Sequence, residues 1–164
     1  MKARLMRPIL KILTATSVQQ RGAVLLLLTI AQGSWGDTLS DLQRIELRVH
    51  DYYYGFIKRD AVRLTRAFDT LNGTMKLPYS NASGSGFENG LFAEIVPSWA
   101  SKKALAPEEL DECELEILNI DLVHGRLASV KLRMKVVDEE FIDLLALQKI
   151  DGQWKITNKS FVSL

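Results

Sequence analysis

One carboxylate stands out because it lies in the apolar row of a predicted strand. In the segment FIDLLALQKIDGQWKITNKSF, residues 141–161, Asp143 alternates with Phe141, Leu145 and Leu147. Alternate residues of a strand share one face of a sheet, so Asp143 is expected on the buried face. A carboxylate there is either a structural group held by hydrogen bonds or part of a partly wet cavity, where it binds a ligand or exchanges a proton. The sequence leaves both interpretations open.

The next predicted strand brings two more polar side chains to this face. The Asp-Gly pair at 151–152 predicts a two-residue turn. Counting back from the turn sets Asp143 opposite Ser160 and Leu145 opposite Asn158. We therefore predict that Asn158 and Ser160 share the concave face with Asp143. A slip of one residue would reverse every face.

Two further candidates come from other elements. Counting through the acidic turn at 138–140 sets Met134 opposite Asp143. Tyr52 lies on the apolar stripe of a predicted helix, where it is either a core residue or a hydrogen-bond donor to a ligand oxygen. The candidate ligand-binding residues are therefore Asp143, Asn158, Tyr52, Ser160 and Met134, and no residue is assigned a catalytic role.

The candidate residues lie in a chain whose sequence patterns predict helices first and strands last. Apolar residues spaced three or four apart predict an amphipathic helix from Asp37 or Ser40 to about Lys58, and Asp60 can cap a second short helix. Residues 70–90 predict a short strand and an exposed loop, and residues 87–102 a helix shortened or kinked by Pro97. Strand-like runs follow at 114–123, 126–137, 141–150 and 153–162. The order predicts an α+β domain with helices covering one face of a curved, mainly antiparallel sheet.

The first 36 residues have the pattern of a targeting segment, and residues 37–164 that of a single domain. A basic start precedes the apolar core AVLLLLTIA, residues 23–31, and small residues follow it. We predict export to the periplasm or the exterior of a bacterium. A mitochondrial transit peptide in a eukaryote and a misassigned start codon are the alternatives. A core this short argues against a permanent membrane anchor, because a spanning helix needs roughly 20 apolar residues.

Composition argues against several classes of function. From residue 37 onwards the chain has 16 basic and 20 acidic residues, a net charge of -4, which argues against nucleic-acid binding. Cys113 is the only cysteine, so no intramolecular disulfide can form. His50 and His124 lie far apart, without carboxylates at ligand spacing, so no metal site is predicted. No phosphate-binding loop or dinucleotide fingerprint occurs, and we predict no cofactor.

The chain resembles a known family from about Leu42 to Val162. The resemblance rests on the order of elements, on YYYGFIKRDAVRLTRAF in the helical part, and above all on the terminal segment FIDLLALQKIDGQWKITNKSF. These residues are similar to the putative lumazine-binding group of the nuclear-transport-factor-two-like, or SnoaL-like, superfamily. The resemblance implies a cone-shaped α+β fold whose cavity serves catalysis in some relatives and binding in others. The name of the group implies a pteridine-type ligand.

Three functions fit these observations. The leading hypothesis is an exported domain that binds a small aromatic or apolar molecule, oriented by Asp143 and Asn158. The second is an isomerase or cyclase with Asp143 as general base, a chemistry that the resemblance implies for related folds. The third is a non-catalytic interaction module. The same register places an apolar patch on the outer sheet face and predicts a homodimer through it; the patch consists of Leu118, Ile120, Leu122 and Leu127.

Overall fold

Two capped helices begin the fold. A computed structural model describes residues 39–164, and the predicted targeting segment 1–36 lies outside them. Helix α1 spans Asp41–Lys58, and Ser40 caps it by accepting a hydrogen bond from the backbone N–H of Gln43. Helix α2 spans Ala61–Ala67 and is capped by Asp60, as predicted. No helix within residues 39–164 is long and apolar enough to cross a membrane.

A six-stranded sheet forms the second layer, and it confirms the α+β fold class. The strands lie in the order β2-β1-β6-β5-β4-β3 and are antiparallel except for the β1–β6 pair. The remaining elements are β1 Thr74–Asn81, β2 Gly84–Leu91, α3 Phe92–Ala100, α4 Pro107–Asp111, β3 Glu114–Val123, β4 Leu127–Val136, β5 Glu139–Ile150 and β6 Gln153–Ser163. The four C-terminal strands agree with the predicted runs within about two residues.

The hairpin of β1 and β2 was only half predicted. Strand β2, rich in glycine, replaces the expected loop, and α3 begins at Phe92 rather than near residue 87. Strand β2 is the edge of the sheet, where pairing with β1 alone determines its structure. Pro78 is tolerated in β1 because β1 pairs with β6 only at Thr74 and Met75, so no hydrogen bond to β6 is lost at the proline.

The core lies between the helices and one face of the sheet. Helix α1 contributes Ile45, Val49 and Tyr52. Aromatic rings from α1, the end of α2 and α3 cluster there, with the ring centroids of Tyr52 and Phe68 5.1 Å apart and those of Phe68 and Phe92 4.5 Å apart. The buried face of the sheet consists mainly of Ala128, Val130, Leu132, Met134, Leu145, Leu147, Trp154 and Ile156.

A β-bulge in β6 changes which residues of that strand face the core. The β5–β6 hairpin starts in the predicted register, with Leu147 opposite Ile156. Thr157 is then an extra residue, because Ala146 lies opposite Asn158. Beyond the bulge the predicted partners are displaced by one residue. The prediction that Asn158 and Ser160 share a face with Asp143 is therefore wrong.

The β4–β5 register differs from the prediction without changing the faces. Leu132, not Met134, lies opposite Asp143, and Met134 lies opposite Phe141. The shift is two residues, so Met134 remains on the same face as Asp143. The difference arises at the turn, where Val136 and Glu139 pair directly and enclose only two residues.

A second bulge corrects the predicted dimer patch. The β3–β4 register shifts at Leu118, and Ile120 and Leu122 then pair with the buried residues Val130 and Ala128. Ile120 and Leu122 therefore pack against the core, and their assignment to an outer patch is wrong. Leu118 and Leu127 are exposed.

Two leucines of β5 test the assignment of faces. Leu147 is buried among the helices and Leu144 is 56% exposed on the opposite face. We expect Leu147→Ala to lower the free energy of unfolding by about 2–5 kcal/mol, because it opens a cavity in the core. For the monomer, the matched Leu144→Ala change is expected to stay within about 0.5 kcal/mol, so both variants are compared at a protein concentration too low for association. Urea denaturation measures both, and similar losses at the two positions would contradict the faces assigned to β5.

Candidate functional site

A buried ion pair lies at the centre of the core face. Asp143 is 0% exposed and Lys159 is 3% exposed. The Lys159 ammonium contacts Oδ1 of Asp143, and the Tyr52 hydroxyl donates a hydrogen bond of 2.8 Å to Oδ2. Among residues 39–164, Oδ1 has no donor apart from that ammonium. Both oxygens of the carboxylate are therefore occupied by protein groups.

Three elements and one bulge assemble this triad of Tyr52, Asp143 and Lys159. Asp143 lies on β5, Lys159 lies diagonally across from it on β6, and Tyr52 reaches down from α1. Lys159 lies directly opposite Leu145, a core residue, so its side chain enters the core. Without the extra residue at Thr157, Lys159 would occupy the outer face. The bulge therefore places Lys159, the counter-ion of Asp143, on the core face.

Burial shapes the protonation of the triad. Burial lowers the pKa of the Lys159 ammonium, while the charge of Asp143 acts in the opposite direction. Burial raises the pKa of Tyr52 well above its ordinary value, and the neighbouring carboxylate raises it further because a phenolate would lie beside a negative charge. Tyr52 is thus held as a neutral hydrogen-bond donor.

A small aromatic cavity adjoins the triad. Its volume is about 190 Å³. Lys159 and Tyr52 are its buried polar groups, whereas the exposed residues Lys102 and Glu139 mark its mouth. Asp143 does not line it. The lining residues are Tyr52, Phe56, Met75, Trp99, Lys102, Met134, Glu139, Phe141, Lys159 and Phe161.

The Lys159 ammonium has unused hydrogen-bonding capacity beside this cavity. An ammonium has three N–H donors. Within residues 39–164 its one hydrogen-bond acceptor is Asp143. Two aromatic rings also lie near the ammonium, with Nζ 5.3 Å from the ring centroid of Tyr52 and 4.9 Å from that of Phe161. The site can therefore donate to an acceptor atom that enters the cavity.

The structure brings together three of the five sequence-predicted site residues. Asp143 and Tyr52 are hydrogen-bonded, and Met134 lines the cavity. Asn158 instead ties β6 to β1, its amide donating to Oγ1 of Thr74 at 3.0 Å. Ser160 lines a groove on the outer sheet face. Sequence reasoning missed Lys159. The bulge does leave a trace in the sequence of β6, because the apolar residues change from even-numbered positions, Trp154 and Ile156, to an odd-numbered one, Phe161.

No cluster of three or more metal-ligating side chains occurs within residues 39–164. The two histidines lie on different elements, His50 on α1 and His124 in the turn between β3 and β4.

Comparison with known families places this arrangement in context. Residues 40–162 match the model of the family described as "Putative lumazine-binding". The chain belongs to this family. No curated protein matches it by sequence.

Several solved structures share the fold. An NTF2-like protein of unknown function from Shewanella baltica OS155 superposes with a TM-score of 0.62 at 20% identity, over 76% of this chain and 94% of that one. An NTF2-like protein of unknown function from Methylobacillus flagellatus KT gives 0.60 at 22% identity, over 77% and 96%. A ketosteroid isomerase-like protein from Erwinia carotovora atroseptica SCRI1043 gives 0.52 at 14% identity, over 76% and 97%. These similarities confirm the cone-shaped NTF2-like fold.

A mutant cycle measures the coupling between Asp143 and Lys159. We expect Lys159→Met to cost about 3–5 kcal/mol of unfolding free energy, because it leaves a buried carboxylate without its counter-ion. The double variant Asp143→Asn/Lys159→Met leaves no buried charge and is expected to lose less than Lys159→Met alone. The half-exposed pair of Arg133 and Glu140 is the control, for which a much smaller coupling is expected. Additive losses at Asp143 and Lys159 would contradict the pairing.

Because its pKa is raised, Tyr52 is expected not to ionise in the folded protein near pH 10. Tyr52→Phe should leave the rise in phenolate absorbance of the folded protein near pH 10 unchanged, because Tyr52 keeps its proton there. The folded protein holds the proton of Tyr52 more tightly than the unfolded chain. The stability from this group is therefore complete below about pH 10 and is lost as the pH rises further. A smaller rise in Tyr52→Phe would show that Tyr52 ionises freely.

Proposed function

We propose that the protein binds a small, flat, largely aromatic molecule in the cavity beside the triad, and that a carbonyl oxygen of this molecule accepts hydrogen bonds from Lys159. The observation that carries the proposal is the buried Lys159 ammonium, which has unused donors next to aromatic walls. A buried polar group without partners is costly unless a ligand supplies them. An apolar pocket with few polar groups is typical of small-molecule sites.

The size of the cavity limits the ligand. Its volume of about 190 Å³ lies below the roughly 300–1,000 Å³ of pockets for drug-sized molecules. A single-ring or fused bicyclic molecule has suitable dimensions. The rings of Phe56, Trp99 and Phe141 offer stacking or edge contacts to such a molecule.

Charge balance favours a neutral ligand. The Lys159 ammonium is already neutralised by the Asp143 carboxylate, so a second buried carboxylate would leave the site with a net negative charge. A neutral carbonyl uses the free N–H donors without adding charge. The description of the family names a flat heterocycle, and a pteridine with ring carbonyls would meet these requirements.

An isomerase-type enzyme is the second candidate, supported by the similarity to a ketosteroid isomerase-like protein. A general base must reach the proton that it abstracts. Here Asp143 does not line the cavity, and Lys159 and Tyr52 occupy its oxygens. Catalysis by Asp143 would require Lys159 to move aside. The geometry therefore favours binding over proton abstraction.

We further propose that the protein is exported and forms a homodimer. The basic and apolar leader within residues 1–36 supports export. For the dimer, the outer sheet face offers a patch that differs from the one predicted, formed by Leu144, Val162 and Phe87. These side chains line or border a groove on that face, and their exposed apolar surface suits association between copies.

The ligand proposal is tested with two isosteric probes, benzamide and benzoate. We expect benzamide to bind more tightly than benzoate at neutral pH, measured by ligand-observed NMR titration. In Asp143→Asn/Lys159→Met the affinity for benzamide should fall about 10- to 100-fold, the equivalent of losing charge-assisted hydrogen bonds. Binding of toluene, which has no acceptor, should persist in that variant.

The control is Lys131→Met, which removes an exposed lysine from the outer face of β4. It should leave all three affinities unchanged. Unchanged benzamide binding in the double variant would refute the role of Lys159. Turnover of an isomerisable ketone, lost in Asp143→Asn, would favour the enzyme instead.

A further inference from the structure

A basic groove lies apart from the aromatic cavity. It runs between the start of α1 and the turn of the β5–β6 hairpin and has a volume of about 570 Å³. Three guanidinium groups line it, those of Arg44, Arg48 and Arg66, and no carboxylate does. Leu39 and Leu47 form its apolar border. None of its lining residues contributes to the aromatic cavity.

The arginines beside this groove outnumber their carboxylate partners. The buried carboxylate of Asp51 is shared by Arg48, Arg63 and Arg66, at nitrogen–oxygen distances of 3.2, 3.4 and 3.6 Å. One negative charge cannot neutralise three guanidinium groups. Burial lowers the pKa of Arg48, the charge of Asp51 opposes this shift, and the charge of Arg66 adds a smaller lowering.

Two carboxylates near the groove, those of Asp41 and Asp60, are already engaged, whereas the exposed Asp151 lies in the hairpin turn next to the lining residue Gly152. Asp41 accepts hydrogen bonds from Lys149 at 2.7 Å and from the Trp154 indole at 2.9 Å. Asp60 caps α2 and lies 3.6 Å from Arg63. Positive charge is thus concentrated at this groove, although the chain from residue 37 onwards has a net charge of -4.

The composition of the groove points to a phosphate attached to an apolar body. Guanidinium groups form paired hydrogen bonds with phosphate oxygens. Arg44 donates from Nε to the carbonyl of Leu39 at 3.0 Å and forms no ion pair within residues 39–164, and the one ion pair of Arg66 there is its 3.6 Å contact with Asp51. Leu39 and Leu47 are 41% and 44% exposed beside them. Exposed leucines next to arginines suit an amphiphile better than a free ion.

We propose that this groove binds the phosphate headgroup of an anionic phospholipid, with Arg44, Arg48 and Arg66 contacting the phosphate and Leu39 and Leu47 contacting the first methylenes of its acyl chains. The site is independent of the aromatic cavity. It gives the domain a membrane-surface contact through residues that belong to the folded part of the chain.

The test uses dihexanoyl phosphatidylglycerol, a lipid that is soluble as a monomer, and calorimetric titration of the full chain below the micelle concentration. We expect the phosphatidylglycerol to bind, and dihexanoyl phosphatidylcholine, whose headgroup has no net charge, to bind much more weakly. Arg44→Gln/Arg66→Gln should reduce the affinity on the order of tenfold or more and reduce its salt dependence. Arg48 is retained in this variant to keep its ion pair with Asp51.

The matched control is Lys131→Gln/Lys135→Gln, which removes the same charge from β4. It should bind phosphatidylglycerol like the wild type. Inorganic phosphate and glycerol phosphate separate the sources of the anion: binding as tight as that of the lipid would overturn the lipid assignment. Equal losses of phosphatidylglycerol affinity in the two double variants would show that binding depends on the net charge of the protein alone, and would overturn the proposed site. Unchanged benzamide binding in Arg44→Gln/Arg66→Gln confirms that the variant is folded.

Discussion

A charge pair buried in an apolar core constrains the rest of this structure. Asp143 and Lys159 cannot leave water without one another, because an unpaired charge in that position costs several kcal/mol. Their pairing requires β5 and β6 to present both side chains to the same face, and it requires Tyr52 of α1 to supply the remaining donor. The bulge at Thr157 meets the first requirement. The ion pair thus links the register of β5 and β6 to the lining of the cavity, and the hydrogen bond from Tyr52 links both to the position of α1.

The sequence predicts the architecture well because that depends on patterns along the chain. The apolar spacing of α1, the Asp60 cap and the four C-terminal strands all follow from local periodicity and turn chemistry. Strand β2 was missed because its glycines and polar residues lack a strand pattern, and its pairing with β1 at the sheet edge determines its conformation. The conformation of such a segment depends on its tertiary contacts rather than on its own residue pattern.

The candidate site was only partly predictable. The faces of Asp143 and Met134 follow from the alternation of strand residues, and that of Tyr52 follows from the apolar stripe of α1, so the sequence placed all three on the core side. Asn158 and Ser160 were misplaced, and Lys159 was missed, because one extra residue in β6 exchanges inner and outer positions beyond Ile156. The same kind of error affected Ile120 and Leu122 in β3. Counting from a turn assumes regular pairing, and a bulge is detectable beforehand only as a change in the phase of apolar residues.

The buried pair of Lys159 and Asp143 also has an electrical consequence. An ammonium and a carboxylate held rigidly by two strands form a permanent dipole, and the surrounding aromatic side chains screen it far less than water would. The positive end faces the cavity, since Lys159 lines it and Asp143 does not. Any chromophore seated there experiences an oriented field, so its absorption band shifts relative to the same molecule in solution. A coloured ligand would thus report its own orientation.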